Sequence, residues 1–345
     1  MTRDPSSVVT GSGSSAIFKQ NGGQASALNT GFRASRGDVI FFVDSDDVLL
    51  PHAVERAVEC FSEQGIVKAP WPLSEIDRNG VETGRLNPDT PLAEGNLREN
   101  VIEEGFAGDS WPPTSGNAWA RWFLECVLPI PEKDFVTCPD AYLCTLAPLF
   151  GIVRAVPTPL AEWRIHGNNH GLQASFDAWM EEAVVIEQRC LRALEQYCAL
   201  LGLETSPERW RRLSWRRRLQ ETTKDIAAVV PTGHKYVLVD QATWEIGELV
   251  PRRHKIPFLE HDGKYWGPPI DDVTAIQELG RLRGEGASFI VFAWPAFWWL
   301  DYYEDFTRYL RSHFPRVLEN DRLIAFDMRP TLTELQPQSG HGSSV

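Results

Sequence analysis

The chain has 345 residues, 43% hydrophobic and 23% charged, enough apolar material for about two domains, each with its own core. Its 34 Lys and Arg against 47 Asp and Glu give a formal net charge of -13, which excludes wholesale binding to nucleic acid or anionic lipid and confines any basic partner surface to a local patch. No stretch approaches the roughly 18 apolar residues of a membrane-spanning helix, and the Ser/Gly-rich opening has no apolar signal core, so a cytoplasmic location is expected.

In chain order, the first strong pattern is a helix over Gln24 to Ser35, with Ala25, Leu28 and Phe32 on one face. Val39 to Val43 is continuously apolar and predicts a strand covered on both faces, running into Asp44-Ser45-Asp46-Asp47. A helix from Pro51 to Gln64 and a strand over Ile66 to Trp71 follow. The stretch Asp77 to Gly116 is rich in Gly, Pro, Asn and acids and predicts long functional loops. Helices are expected over Trp119 to Val127 and Ala141 to Phe150, then short strands between Gly151 and Arg164.

Helical spacing over Leu172 to Leu201, and a second helix from an N-cap at Ser206 to Val230, predict a helical connector. Within it Arg209 to Arg218, interleaved with Trp210 and Trp215, reads either as a solvated face paired with acids or as a weak peripheral membrane contact. After Pro231 a second, smaller α/β unit is expected. Its strands are Tyr236 to Val239, Ser288 to Trp294 and Leu323 to Phe326, and its helices Asp271 to Arg283 and Trp299 to His313. Asp271 and Asp272 are expected to cap the first of these helices, and Trp294, Trp298 and Trp299 to pack in a core or interface. The six cysteines lack zinc or disulfide spacing and read as free thiols. The domains are thus 1–171, a connector over 172–230, a second α/β domain over 231–330, and a polar tail over 331–345.

The chemistry concentrates at the acid cluster. Carboxylates one residue apart at the end of a buried strand sit where open α/β sheets bind ligands, and their hard oxygens suit Mg2+ or Mn2+ with sites left for phosphate oxygens. Taken alone, the same four residues fit a solvated turn capping the next helix.

The run from Lys19 to Pro51, KQNGGQASALNTGFRASRGDVIFFVDSDDVLLP, resembles the central block of family 2 glycosyltransferases of the GT-A fold: an Asn-Gly-Gly turn, a helix with a second Asn and Gly, an apolar strand and a DxD motif. Weaker signals extend to about Asn169. The resemblance implies a Rossmann-like GT-A domain, a nucleotide-sugar donor, expected to be UDP-linked, a saccharide or glycoconjugate acceptor, and inverting transfer.

By position, the resemblance implies that Asp44 and Asp46 are the DxD pair, Asp46 for the metal and Asp44 for metal or donor ribose, with Asp47 capping the next helix. Asn21, Gly22, Gly23 and Gln24 would lie near the donor, and Asp140 in CPDAYL would be the base, or else a helix N-cap, with Asp109 in reserve. WRIHGNN resembles the family's late Arg-x-His element, implying His166 as third metal ligand and Arg164 as phosphate partner. Thr114 to Asn117 and Trp119 fall where such proteins shape the acceptor site. The family's opening strand, helix and second strand have no counterpart before TRDPSSVV, which implies a shortened domain with an exposed Val39 to Val43 edge. The rival reading is a catalytically impaired carbohydrate- or nucleotide-binding protein derived from such an enzyme.

Overall fold

The computed structural model describes residues 8–11, 14–105, 111–167, 169, 176–244 and 249–330. The chain divides into two units, Met1–Arg216 and Arg217–Val345.

The first unit begins with a hairpin, β1 (Val8–Gly11) and β2 (Ser14–Ile17), followed by α1 (Gly23–Ala34), β3 (Val39–Phe41), β4 (Val48–Leu49) and α2 (Ala53–Cys60). Next come β5 (Ile66–Pro70), β6 (Leu73–Ile76), β7 (Glu82–Asn87) and α3 (Arg98–Glu104). Then follow β8 (Asn117–Ala120), α4 (Arg121–Val127), α5 (Pro139–Phe150), β9 (Ile152–Val153) and β10 (Ala161–Arg164). The helices α6 (Phe176–Leu200) and α7 (Pro207–Leu213) complete the unit, and α8 (Trp215–Val229) begins at its boundary.

One sheet has the order β3-β8-β5-β9, a second the order β4-β10-β6-β7. In the second, β10 runs parallel to β6 and antiparallel to β4. The helix α5 is apolar on every side, with Tyr142, Leu143, Cys144, Leu146, Ala147 and Leu149 all buried. A helix of that composition must be covered all round. Phe123, Phe135, Leu194 and Trp210 share its core.

Several expectations shift. The strand predicted to Val43 stops at Phe41 and pairs only with β8, antiparallel, so it is an edge strand among the described residues, with Ile40 buried and Val43 exposed. The helix predicted from Trp119 begins two residues later, because Asn117–Ala120 is pulled into strand between β3 and β5. The stretch Asp77 to Gly116 contains β7 and α3 besides loops, and Phe106 to Ser110, including Asp109, lies outside the described residues. The helix from Pro207 breaks at the buried Ser214, one turn after Trp210 donates its indole N–H to the Ile102 carbonyl at 2.8 Å. Arg209 pairs with Glu103 at 3.1 Å and Arg216 lies 3.9 Å from Glu187, so acids of this unit take up part of the basic run. All six cysteines are free, with Cys144, Cys190 and Cys198 buried.

The second unit holds β11 (Lys235–Val239), β12 (His254–Pro257), the hairpin β13 (Glu260–His261) and β14 (Lys264–Tyr265), α9 (Asp272–Gly284) and β15 (Ala287–Ala293). It closes with α10 (Trp299–Tyr302), α11 (Glu304–His313), β16 (Arg316–Glu319) and β17 (Leu323–Asp327). Its sheet order is β12-β11-β15-β17-β16, parallel across the first three strands and antiparallel beyond. The apolar runs of β11 and β15 are central and buried, as two-sided coverage requires.

Asp271 caps α9, accepting from the Thr274 amide at 2.7 Å, whereas Asp272 accepts from the Phe306 amide at 2.8 Å and ties α9 to α11. The helix predicted over Trp299 to His313 is interrupted at Tyr303, whose hydroxyl donates to the Pro269 carbonyl at 2.6 Å. Trp299 lies in the core, while Trp298 is 40% exposed beside Tyr302. No described helix is long and apolar enough to cross a membrane.

Candidate functional site

Beyond β3 the chain turns at 44–47, closed by the Asp47 amide donating to the Asp44 carbonyl at 3.2 Å. Three separate segments fix this acid turn. From α1, the Gln24 side-chain amide donates to Asp44 Oδ1 at 2.8 Å and to Thr114 Oγ1 at 3.1 Å. From the loop before β8, Ser115 Oγ accepts the Asp44 amide at 3.0 Å and its hydroxyl bonds the Asp47 carboxylate. From the end of β10, the Arg164 amide donates to Asp47 Oδ1 at 3.1 Å and its Nε donates to the Asp46 carbonyl at 3.0 Å.

The loop holding Ser115 is close-packed. A Cβ on Gly116 would meet Pro112, Leu73 and the Trp71 carbonyl at 2.5 to 2.8 Å, so only glycine fits there. The Asn117 side-chain amide donates to the Pro113 carbonyl at 2.9 Å, and Trp119 is buried against Phe123. These residues support the site from behind, and Trp119 offers no face to a sugar.

Asp47 therefore does not cap the following helix. That helix starts at Ala53 with His52 before it and no side-chain cap. Asp47 instead binds main chain 117 residues away. Arg164 likewise directs its Nε and NH1 at the carbonyls of Asp46 and Asp77, the second at 3.5 Å, and so acts through the turn.

Asp46 Oδ2 lies 2.8 Å from His166 Nε2, and both side chains are partly open to solvent, at 38% and 27%. Asn169 holds this segment, accepting from the His166 amide at 2.9 Å and donating to the Arg164 carbonyl at 2.7 Å. Burial, then the negative charges of Asp47 and Asp140, push the Asp44 carboxyl up to about 6. Burial also raises Asp47, against the hydrogen bonds from Ser115 and the Arg164 amide.

The Asn21 to Gln24 segment makes the approach to α1. Asn21 Oδ1 accepts from the Gly23 amide at 3.0 Å. Gly23 has φ +84, and a Cβ there would lie 2.7 Å from the Val136 carbonyl, so glycine is required. A Cβ on Gly22 would lie 2.8 Å from Ser26 Oγ. Asn21 is exposed, Gln24 bonds the acid turn directly, and the second asparagine, Asn29, is buried and bonded to both polar groups of the Ile130 main chain.

Asp140 sits in the first turn of α5. Cys138 is the N-cap, with φ 52, and Pro139 opens the helix, so Asp140 is not itself the cap. Burial raises its carboxyl, opposed by the amides of Ala141 and Asp140 and by the charge of Lys68. Its negative charge also contributes to raising the Asp44 carboxyl.

Lys68 escaped the sequence reading. It is 0% exposed on β5, with Nζ 3.0 Å from Cys144 Sγ and 3.7 Å above the Trp111 ring. The signal was present: a single charge within the apolar run IVKAPW.

The implied metal can be tested against this donor set. Asp46 and His166 present a carboxylate oxygen and an imidazole nitrogen together, a combination that suits a hard or borderline divalent ion completed by phosphate oxygens. Asp44 is engaged by Gln24, and among the described residues no group of three His, Cys, Asp or Glu gathers. The pair Asp46 and His166 fits as two ligands, without Asp44 as an equal third.

The profile of glycosyl transferase family 2 matches residues 16–107, which span α1, the acid turn and the strands up to α3. The first unit is thus similar, over this segment, to family 2 glycosyltransferases. An uncharacterised glycosyltransferase of Nostoc sp. is 34% identical over 167 residues, covering 48% of this chain and 52% of its own length. The chain thus spans about half the length of the curated relative it matches. Among solved structures, Staphylococcus aureus TarS 1–349 in complex with UDP overlaps 61% of this chain and 60% of its own at 14% identity, with a TM-score of 0.33. Asp44 and Asp46 fall inside the matched segment, and Asp140, Arg164 and His166 beyond it.

Proposed function

We propose that the protein transfers a sugar from a nucleotide-diphosphate donor, UDP-linked in the first instance, to a saccharide or glycoconjugate hydroxyl with inversion. The observation that supports this reading most is that the turn after β3, inside the segment similar to family 2 glycosyltransferases, pairs Asp46 with His166 and Asp44 with Gln24.

Asp140 takes the proton of the acceptor hydroxyl as its oxygen bonds to the anomeric carbon; the bond from that carbon to the diphosphate breaks and its electron pair leaves with the diphosphate. Asp46 and His166 would hold Mg2+ or Mn2+, which when bound would neutralise charge on the diphosphate. Gln24 keeps Asp44 in place, and Arg164 and Ser115 keep the turn rigid.

Titration calorimetry with UDP, with and without Mn2+, tests the reading. Wild-type protein should bind UDP more tightly with the metal, and Asp46→Asn should abolish that gain. Metal-dependent binding unaltered in Asp46→Asn would sink the assignment.

A further inference from the structure

The second unit leaves aromatic side chains open at one end of its sheet. Its chain passes from β11 to β12 on one side and then to β15 on the other, so the strand order reverses between β11 and β15. Parallel sheets take ligands at the carboxyl ends of the strands beside such a reversal. Among the described residues of this unit, large apolar side chains are exposed at Trp266, Ile270, Val273, Trp298, Tyr302 and Val317. All but Val317 lie on the segments that follow β14 and β15. These segments are tied together, the Tyr303 hydroxyl to the Pro269 carbonyl and the Phe306 amide to the Asp272 carboxylate. Exposed apolar side chains gathered in this way mark a binding surface.

One side of this surface has a definite chemistry. Trp298 has helical backbone, φ -58 and ψ -23, and leads into α10, so Trp298, Asp301 and Tyr302 stand at i, i+3 and i+4 on one side of the turn. The two rings meet at 68° with centroids 5.7 Å apart, and 40% of Trp298 and 69% of Tyr302 are exposed, which makes an open corner. Asp301 is exposed beside them. Gln241, just past β11, fixes the indole. With its amide oxygen toward the ring it accepts from Trp298 Nε1 at 3.1 Å and donates to the Pro295 carbonyl at 3.2 Å. Its φ of 57 is a strained backbone for a residue other than glycine, and here it sets the side chain that holds the ring.

Two flat apolar rings beside a planar carboxylate suit a ligand with apolar C–H faces and a rim of hydroxyl donors. That is the make-up of a pyranose: the rings cover its C–H faces, and the carboxylate accepts from neighbouring hydroxyls. Asp301 and the exposed Glu304 repel phosphates and anionic lipid. A lone ammonium group would leave most of so open a corner uncovered, and exposed cation–ring contacts are weak.

We propose that Trp298, Asp301 and Tyr302 form a saccharide-binding site in the second unit, taking a neutral pyranose or a chain of them. None of its residues takes part in the sugar transfer proposed above, and that reading supplies only the class of ligand.

The test follows the full chain labelled with 5-fluorotryptophan, the Trp298 fluorine signal being assigned by its loss in Trp298→Phe. Cellohexaose, laminarihexaose and chitohexaose are titrated in turn, and at least one should move that signal along a saturable curve. Tyr302→Ala, at a side chain already open to solvent, and Asp301→Ala should each weaken this binding by about tenfold. Metal-dependent UDP binding should be the same in both variants as in wild type, and the sugar curve the same in Asp46→Asn, so failure of the transfer reading and failure of this one are seen separately. A Trp298 signal unmoved by all three sugars, or binding unaltered in either variant, overturns the proposal. So does a signal that answers to choline more tightly than to any sugar, or to protein concentration alone, since the corner would then belong to a cation or to a second copy of the chain.

Discussion

Asp44 and Asp240 both stand just past the end of a buried or half-buried strand, β3 in the first unit and β11 in the second, yet their lone pairs are used differently. Asp240 is 4% exposed and accepts the amides of Ala242 and Trp244 at 3.1 and 3.0 Å, so its own loop consumes it. Asp44 accepts from a side chain, Gln24, and feels the charge of three further acids, Asp47, Asp140 and Asp46. A carboxylate saturated by local amides clamps a loop. One held by a distant side chain among like charges keeps capacity for a cation or ligand, and carries an electrostatic cost for it.

That contrast can be broken or sharpened by substitution. The largest effect is expected at Asp46: Asp46→Asn should lower sugar transfer from a UDP-sugar by about a hundredfold or more while leaving the melting temperature near wild type. Asp240→Asn should do the reverse, with transfer retained per folded molecule and stability lowered by about 1–3 kcal/mol, because an amide NH2 would oppose a backbone donor. If denaturant unfolding showed no loss in Asp240→Asn, the clamp reading would fail.

Asp44 gives a subtler outcome. Folding lifts its carboxyl from 3.8 to about 6, so between those values the folded chain keeps a proton that the unfolded chain releases. Its contribution favours folding at low pH and is lost as pH rises through 6. Asp44→Asn should therefore be more stable than wild type at pH 7 in EDTA, by about 1–3 kcal/mol, and no more stable below pH 4. Equal gains at both pH values would mean that packing is the cause. The smallest effect belongs to the second unit's helix cap: Asp271→Ala should cost about 1 kcal/mol by thermal unfolding, with transfer unchanged.

How much of this could be read from the sequence depends on how far apart the partners lie. The helix at Gln24 and the Asp44 to Asp47 turn were legible because apolar periodicity, a glycine pair and adjacent acids are local signals. Trp119 was misread as helical because it lies in a strand only by being paired on both sides, by β3 and β5, and neither pairing is visible locally. Ser115 and Lys68 were missed for a related reason. A serine that joins residues 71 positions apart, and a lysine buried by aromatics from other segments, have no local signature beyond residue type. The capping role expected of Asp47 failed because its partner, the Arg164 amide, arrives so late in the chain.

That last contact has a consequence for synthesis. The acid turn is closed by β10, which pairs with β4 and β6 and brings Arg164 and His166 onto Asp46 and Asp47. As the chain emerges from the ribosome, the turn at 44–47 has to wait for about 120 further residues before its anchors exist. The Asp46–His166 pair is therefore assembled late in the synthesis of its unit. Nascent chains that stop short of residue 164 carry the whole DSDD sequence with neither anchor from β10 nor imidazole.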